Sequence, residues 1–151
     1  MDLSRLKWPL IIIVIVGAIW LLTDGGVRYL RNHFNQGEVG ADPKKDEYNE
    51  AGLSKLAGFL MFTFRYASAE QVLLDAIEKY PNGAHFYHNN YRLAKCAEKQ
   101  GRYDECVDIL VELRDINAHQ YDEENVPEPD ILQTRIDKLI ETYELGEVGS
   151  V

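Results

Sequence analysis

The chain has 151 residues, 46% hydrophobic and 27% charged, a balance ordinary for a single globular domain. A net charge of −9 and an isoelectric point near 4.9 argue against non-specific nucleic-acid binding, and two cysteines exclude a disulfide-stapled mini-protein or a cysteine-rich zinc module. The mean hydropathy of −0.31 hides a split: residues 1–35 carry Arg5, Lys7, Arg28 and Arg31 against Asp2 and Asp24, whereas the remainder is strongly acidic.

The first predicted element is apolar. Trp8 to Leu22 reads WPLIIIVIVGAIWLL without a charge. Extended back to Leu3 and on to Val27, it reaches the roughly twenty residues of a membrane-spanning helix. Arg5 and Lys7 would then snorkel to headgroups, and Trp8 and Trp20 would sit near the two interfaces. A cleaved signal peptide is the competing reading, but TDGGVRYL after Leu22 offers no small-x-small cleavage site. The count of positive flanking charges is nearly tied, and the orientation expected is an N-terminus in the cytoplasm with the soluble domain across the membrane. Residues 1–34 are read as anchor plus interfacial extension, because Tyr29, Leu30 and Phe34 of VRYLRNHF share one face. Residues 35–47, rich in glycine and polar residues, are read as a linker.

From Tyr48 the pattern is helical. Leu53, Leu56, Ala57 and Leu60 recur at helix spacing; after a break at Phe64–Ser68, Ala69, Leu73, Ala76 and Ile77 continue it as far as Pro81-Asn82-Gly83. Leu93, Ala94 and Ala97, a turn at Gly101, then Tyr103, Cys106, Leu110 and Leu113 repeat the design. This gives two helical hairpins over residues 48–120. Residues 121–145 hold an acidic loop and a helix whose apolar face is Ile131, Leu132, Ile136, Leu139, Ile140 and Tyr143; residues 146–151 form a tail.

These residues resemble the tetratricopeptide repeat, a helix–turn–helix unit of about 34 residues. Leu53, Leu56, Ala57, Leu60, Tyr66, Ala69, Leu73, Ala76 and Pro81 follow its register in a first copy. Leu93, Ala94, Gly101, Tyr103, Cys106 and Leu110 follow it in a second copy, offset by 37 residues. Phe64 stands at the turn place where the family usually has glycine, and Asn90 at a place for a large apolar residue. Together with the apolar first element, read as an N-terminal transmembrane helix, the resemblance implies an all-α fold whose remainder is a short α-solenoid of two hairpins closed by a capping helix. It also implies a concave groove lined by the first helix of each hairpin. By register that groove is Ser54, Gly58, Met61 and Phe62 from the first copy, and His88, Tyr91, Lys95 and Lys99 from the second. Ser54 and Gly58 replace the residues with which some family members clamp a carboxylate.

Other constellations are weak. His85 and His88 are three apart but lack a third metal ligand, the run Asp122-Glu123-Glu124 lacks the glycine turn of a calcium loop, and Cys96 and Cys106 read as packing residues. No nucleophile elbow or phosphate loop is present. The expectation is therefore a non-enzymatic protein without cofactor or metal and without a small-molecule or nucleic-acid ligand. It would be held in the bilayer through residues 8–22, in a bacterial inner membrane with the repeat domain in the periplasm. It would bind other proteins as a scaffold or assembly subunit of a membrane complex. A receptor for precursor peptides on an organelle surface is the alternative.

Overall fold

The computed structural model describes residues 3–21 and 23–146, with side chains over 7–20 and from 23 onward. The expected tail beyond Gly146 and the side chain of Arg5 lie outside these residues. Among the described residues there are seven α-helices, one short 3-10 turn and no strand, so the fold is all-α. The chain divides into two units, residues 1–36 and 37–151.

The first unit holds α1 (Leu3–Leu21) and α2 (Asp24–Phe34). A continuous helix over 3–27 is not what forms. Thr23 ends one helix and starts the next: its hydroxyl donates to the Trp20 carbonyl at 2.6 Å and accepts from the Gly26 amide at 3.2 Å. Asp24 in the first turn of α2, with Arg31 and His33 in the last, suits the helix dipole. Among the described residues no single helix is long and apolar enough to cross a membrane. The segments Lys7–Trp20 and Asp24–Phe34 pass that test only together, bent by 81°. Every large apolar side chain of α1 from Trp8 to Trp20 is exposed.

The second unit is a row of helices: α3 (Pro43–Phe62), α4 (Tyr66–Lys79), α5 (Phe86–Lys99), α6 (Tyr103–Asp115), a 3-10 turn (Ala118–Tyr121) and α7 (Pro129–Tyr143). Helix α3 starts five residues before the expected Tyr48. Asp42 accepts from the amides of Lys44 and Lys45 at 3.1 and 3.4 Å, and Pro43 supplies a first-turn residue with no amide to satisfy. The expected linker at 35–47 is therefore shortened to the residues before Asp42. Helices pack on their neighbours in sequence, α3 on α4, α4 on α5, α5 on α6 and α6 on α7.

Small side chains explain the close approach within each hairpin. Ala57 and Ala69 in the first, and Ala94 and Cys106 in the second, are fully buried. Leu53, Leu60 and Leu73 fill the first hairpin. Val107, Leu110 and Leu113 form one core with Leu132, Ile136 and Leu139 of α7. Burial of such a side chain is worth about 1.5–3 kcal/mol. The loop into α7 is held by Val126, which is buried, and by His119 Nδ1 at 2.7 Å from the Val126 carbonyl.

Both hairpins turn in the same way. Phe64 and Gly101, 37 residues apart, have φ of +60° and +77°. In each case the next amide donates to a carbonyl five residues back, Arg65 to Leu60 at 2.8 Å and Arg102 to Ala97 at 2.9 Å. Phe64 pays a left-handed penalty that glycine avoids, and with its residue 79% exposed its ring recovers little by burial. Phe64→Gly should therefore raise the unfolding free energy by about 0.5–1 kcal/mol, net of the flexibility glycine adds to the unfolded chain. Urea titration checks this, and an unchanged or lowered midpoint would mean that the ring makes up the penalty.

Candidate functional site

The expected groove residues lie on α3 and α5, and a residue missing from that set fills the space between them. Arg92 extends from α5 to α3, where its Nη1 donates to the Ser54 carbonyl at 2.8 Å and to the Ser54 hydroxyl at 3.2 Å. A Cβ on Gly58 would stand 3.2 Å from Arg92 Nη2, so glycine leaves the space that the guanidinium occupies. Ser54 is consequently 4% exposed and forms part of the floor, not an open wall. Arg92 Nε and Nη2 make no hydrogen bond or ion pair among the described residues. Met61 is half-buried, and Phe62, 79% exposed, projects from the end of α3.

Tyr91, Lys95 and Lys99 do not form the open stripe that their spacing predicts. Tyr91 is 8% exposed and Lys99 is exposed, with Lys95 between these extremes. Helix α7 causes the difference. Arg135 donates to the Tyr91 hydroxyl at 3.1 Å and pairs with Glu98. Its guanidinium carbon lies 5.9 Å from the Tyr91 ring centroid, and the Lys95 ammonium lies 4.3 Å from the same centroid. The two carboxylates nearest the lysines in sequence are taken: Glu98 by Arg135, and Glu105 by Arg102 at 2.5 Å. Lys95 makes no ion pair or hydrogen bond among the described residues. Burial lowers its pKa first, then the charges of Arg135 and Arg92, against the opposing pull of Glu98. The geometry thus sets Lys95 under the charges of both Arg92 and Arg135, with the one opposing carboxylate, Glu98, already paired to Arg135. Arg92 was legible as the i+4 neighbour of His88; Arg135 was not, because nothing in the sequence aligns α7 with α5.

His88 sits on the same face. Burial lowers its pKa to about 4, with Arg92, His85 and Lys95 adding to the shift and Asp122 opposing it. The unfolded chain binds a proton near the ordinary value of 6.5, whereas the folded chain refuses it until about 4. Between those values the unfolded state holds more protons, so stability falls as pH drops through this window. The loss should be about 2 kcal/mol, allowing for the solvent that still reaches the ring. His88→Gln should flatten that segment of the stability profile, read by urea unfolding at pH 7 and pH 4.5. Equal slopes in the two proteins would place the shift elsewhere.

The hairpins are also joined away from this face. Glu70 on α4 accepts from Gln100 at 2.7 Å and from Arg102 at 2.6 Å. Burial alone would raise the Glu70 pKa, but these donors hold it below its ordinary value. Cys96 and Cys106 are buried free thiols, each raised by burial to about 11, which suppresses the nucleophilic thiolate. Among the described residues no group of three or more His, Cys, Asp or Glu side chains is placed to hold a metal ion. No family model, curated protein or solved structure matches the chain.

Proposed function

We propose that this chain is a membrane-anchored, tetratricopeptide-like interaction subunit that holds a segment of another protein within a larger membrane complex. The exposed apolar length of α1 supports the anchor. Consecutive packing of two hairpins with like turns supports the repeat assignment. The observation that carries the binding role is Lys95, a partly buried ammonium set between two arginines without an ion pair of its own. Such a charge contributes little to the domain that carries it and gains most from an anionic partner group. Phe62 offers an exposed aromatic anchor on the neighbouring helix.

Affinity purification of the full chain in mild detergent tests the reading. Lys95→Glu should lower the yield of co-purified partner at least tenfold, since truncating or reversing a buried interfacial charge costs about 2–5 kcal/mol. Phe62→Ala should weaken capture less, and neither change should move the circular dichroism melt by more than about a degree or two. Identical partners at identical yield from Lys95→Glu would remove the groove from the proposal. A topology reporter fused at residue 151 tests the companion proposal that the domain faces the periplasm.

A further inference from the structure

A second concavity opens where the start of α3 meets the α4–α5 turn. Its volume is about 680 Å³, within the range of small-ligand sites. Val39, Pro43 and Pro81 give it apolar walls, and Tyr80, 5% exposed, forms part of its lining. Four carboxylates line it, those of Asp46, Glu47, Glu50 and Glu78, against the single ammonium of Lys79. Two of the four are already engaged. Glu50 accepts from the amides of Ala84 and His85 at 3.1 and 2.7 Å, and Asp46 accepts from the Gly40 amide at 2.7 Å. Glu47 and Glu78, on different helices, make no hydrogen bond or ion pair among the described residues. The Tyr80 hydroxyl is buried beside Asn49, so it is the ring of Tyr80 that faces the cleft. Lys79 places the chain's own cation 5.7 Å from the Tyr80 ring centroid.

We propose that this cleft binds an organic cation: a protonated amine or guanidinium carried on an apolar stem. The stem lies along the proline, valine and tyrosine walls. The cationic head meets the unengaged carboxylates of Glu47 and Glu78, and the Tyr80 ring contributes cation–π attraction as it does to Lys79. The site is preformed, because Glu50 fixes the α4–α5 turn to α3 whether or not a ligand is present. It lies apart from the α5 face that bears Lys95, so either site can fail without the other.

The same cation can arrive as a free amine or as an arginine side chain of a basic peptide. The test is amide NMR of the full chain in detergent micelles at low salt, with three probes. These are butylguanidinium, its neutral isostere butylurea, and a blocked Arg-Leu-Arg peptide. Butylguanidinium should give saturable shifts at Glu47, Glu78, Tyr80 and Gly83, and butylurea none. Glu47→Gln with Glu78→Gln should weaken binding about tenfold, and Lys79→Met, which removes the resident cation, should tighten it about threefold. A peptide affinity about tenfold or more above that of butylguanidinium makes the source a basic segment, and equal affinities make it a free amine; each supports the site. The proposal is overturned if neither cation gives saturable shifts, if butylurea matches butylguanidinium, or if the folded double carboxamide variant binds as the parent does.

Discussion

Gly83→Ala should destabilise the domain by about 3 kcal/mol, lowering its melting temperature by roughly 10 °C. The cause is not backbone conformation, since Gly83 is absent from the positive-φ glycines. A Cβ there would lie 2.1 Å from Glu50 Oε1 and 2.3 Å from the carboxyl carbon. Glu50 is 3% exposed, and its two oxygens hold the amides of Ala84 and His85. To admit the methyl the carboxylate must leave both amides. Hydrogen bonds to a charged group are worth about 1.5–3 kcal/mol each, and part of that loss is recovered if the carboxylate reaches water. The measurement that isolates this clash is a double-mutant cycle. With Glu50→Ala already in place, Gly83→Ala should cost little. The same cost in both backgrounds would show that Gly83 serves something other than the Glu50 contact.

Ending the chain at residue 128 should abolish cooperative unfolding of the second hairpin. Leu132, Ile136 and Leu139 of α7 are buried in one core with Val107, Leu110 and Leu113 of α6. Exposing the three α7 contacts forfeits roughly 5–9 kcal/mol, comparable with the whole stability of a typical small domain. Polar contacts go with them: Arg135 leaves Tyr91 and Glu98, and Tyr143 leaves its stack on Tyr103 at 3.5 Å between centroids. The graded version is Ile136→Ala, which should cost about 2–5 kcal/mol. Amide exchange would show protection lost first in α6 and last in α3 and α4. A shortened chain that unfolds at an unchanged urea midpoint would mean that α7 is an appendage.

Apolar periodicity made α4, α5, α6 and α7 legible, together with the buried alanines and the 37-residue spacing of the turns. It read them well because each helix buries one stripe, and the stripe is written in Leu, Ala, Ile and Val. It missed the first turn of α3, where PKKDE carries no apolar residue and the start lies in the Asp42 cap. It also missed the break at Thr23, where a single side chain bonds in both directions. On the candidate face the helical spacing correctly placed Tyr91 and Lys95 within reach of each other. It assigned Tyr91 to solvent because the reach of Arg135 from α7 leaves no periodic signal. Gly58 reads in the sequence only as a groove position, and the group that fills the space beside it is Arg92, 34 residues later. Long polar side chains crossing between helices are the part of this fold that a one-dimensional pattern does not record.

The packing of each helix on its sequence neighbours also has a kinetic meaning. Most contacts in the row close short loops, so little chain entropy is lost before each contact forms, and folding belongs to the fast regime of locally connected helical proteins. The polar links Glu50 to Ala84 and His85, Arg92 to Ser54, Glu70 to Gln100 and Arg102, and Arg135 to Tyr91 and Glu98 are the exceptions, spanning 30 to 44 residues. They can form only after both hairpins exist. Assembly therefore separates into rapid zipping of hairpins and a later docking step in which Glu50, Glu70 and Arg92 set the pitch between the two hairpins and Arg135 seats α7 on the second.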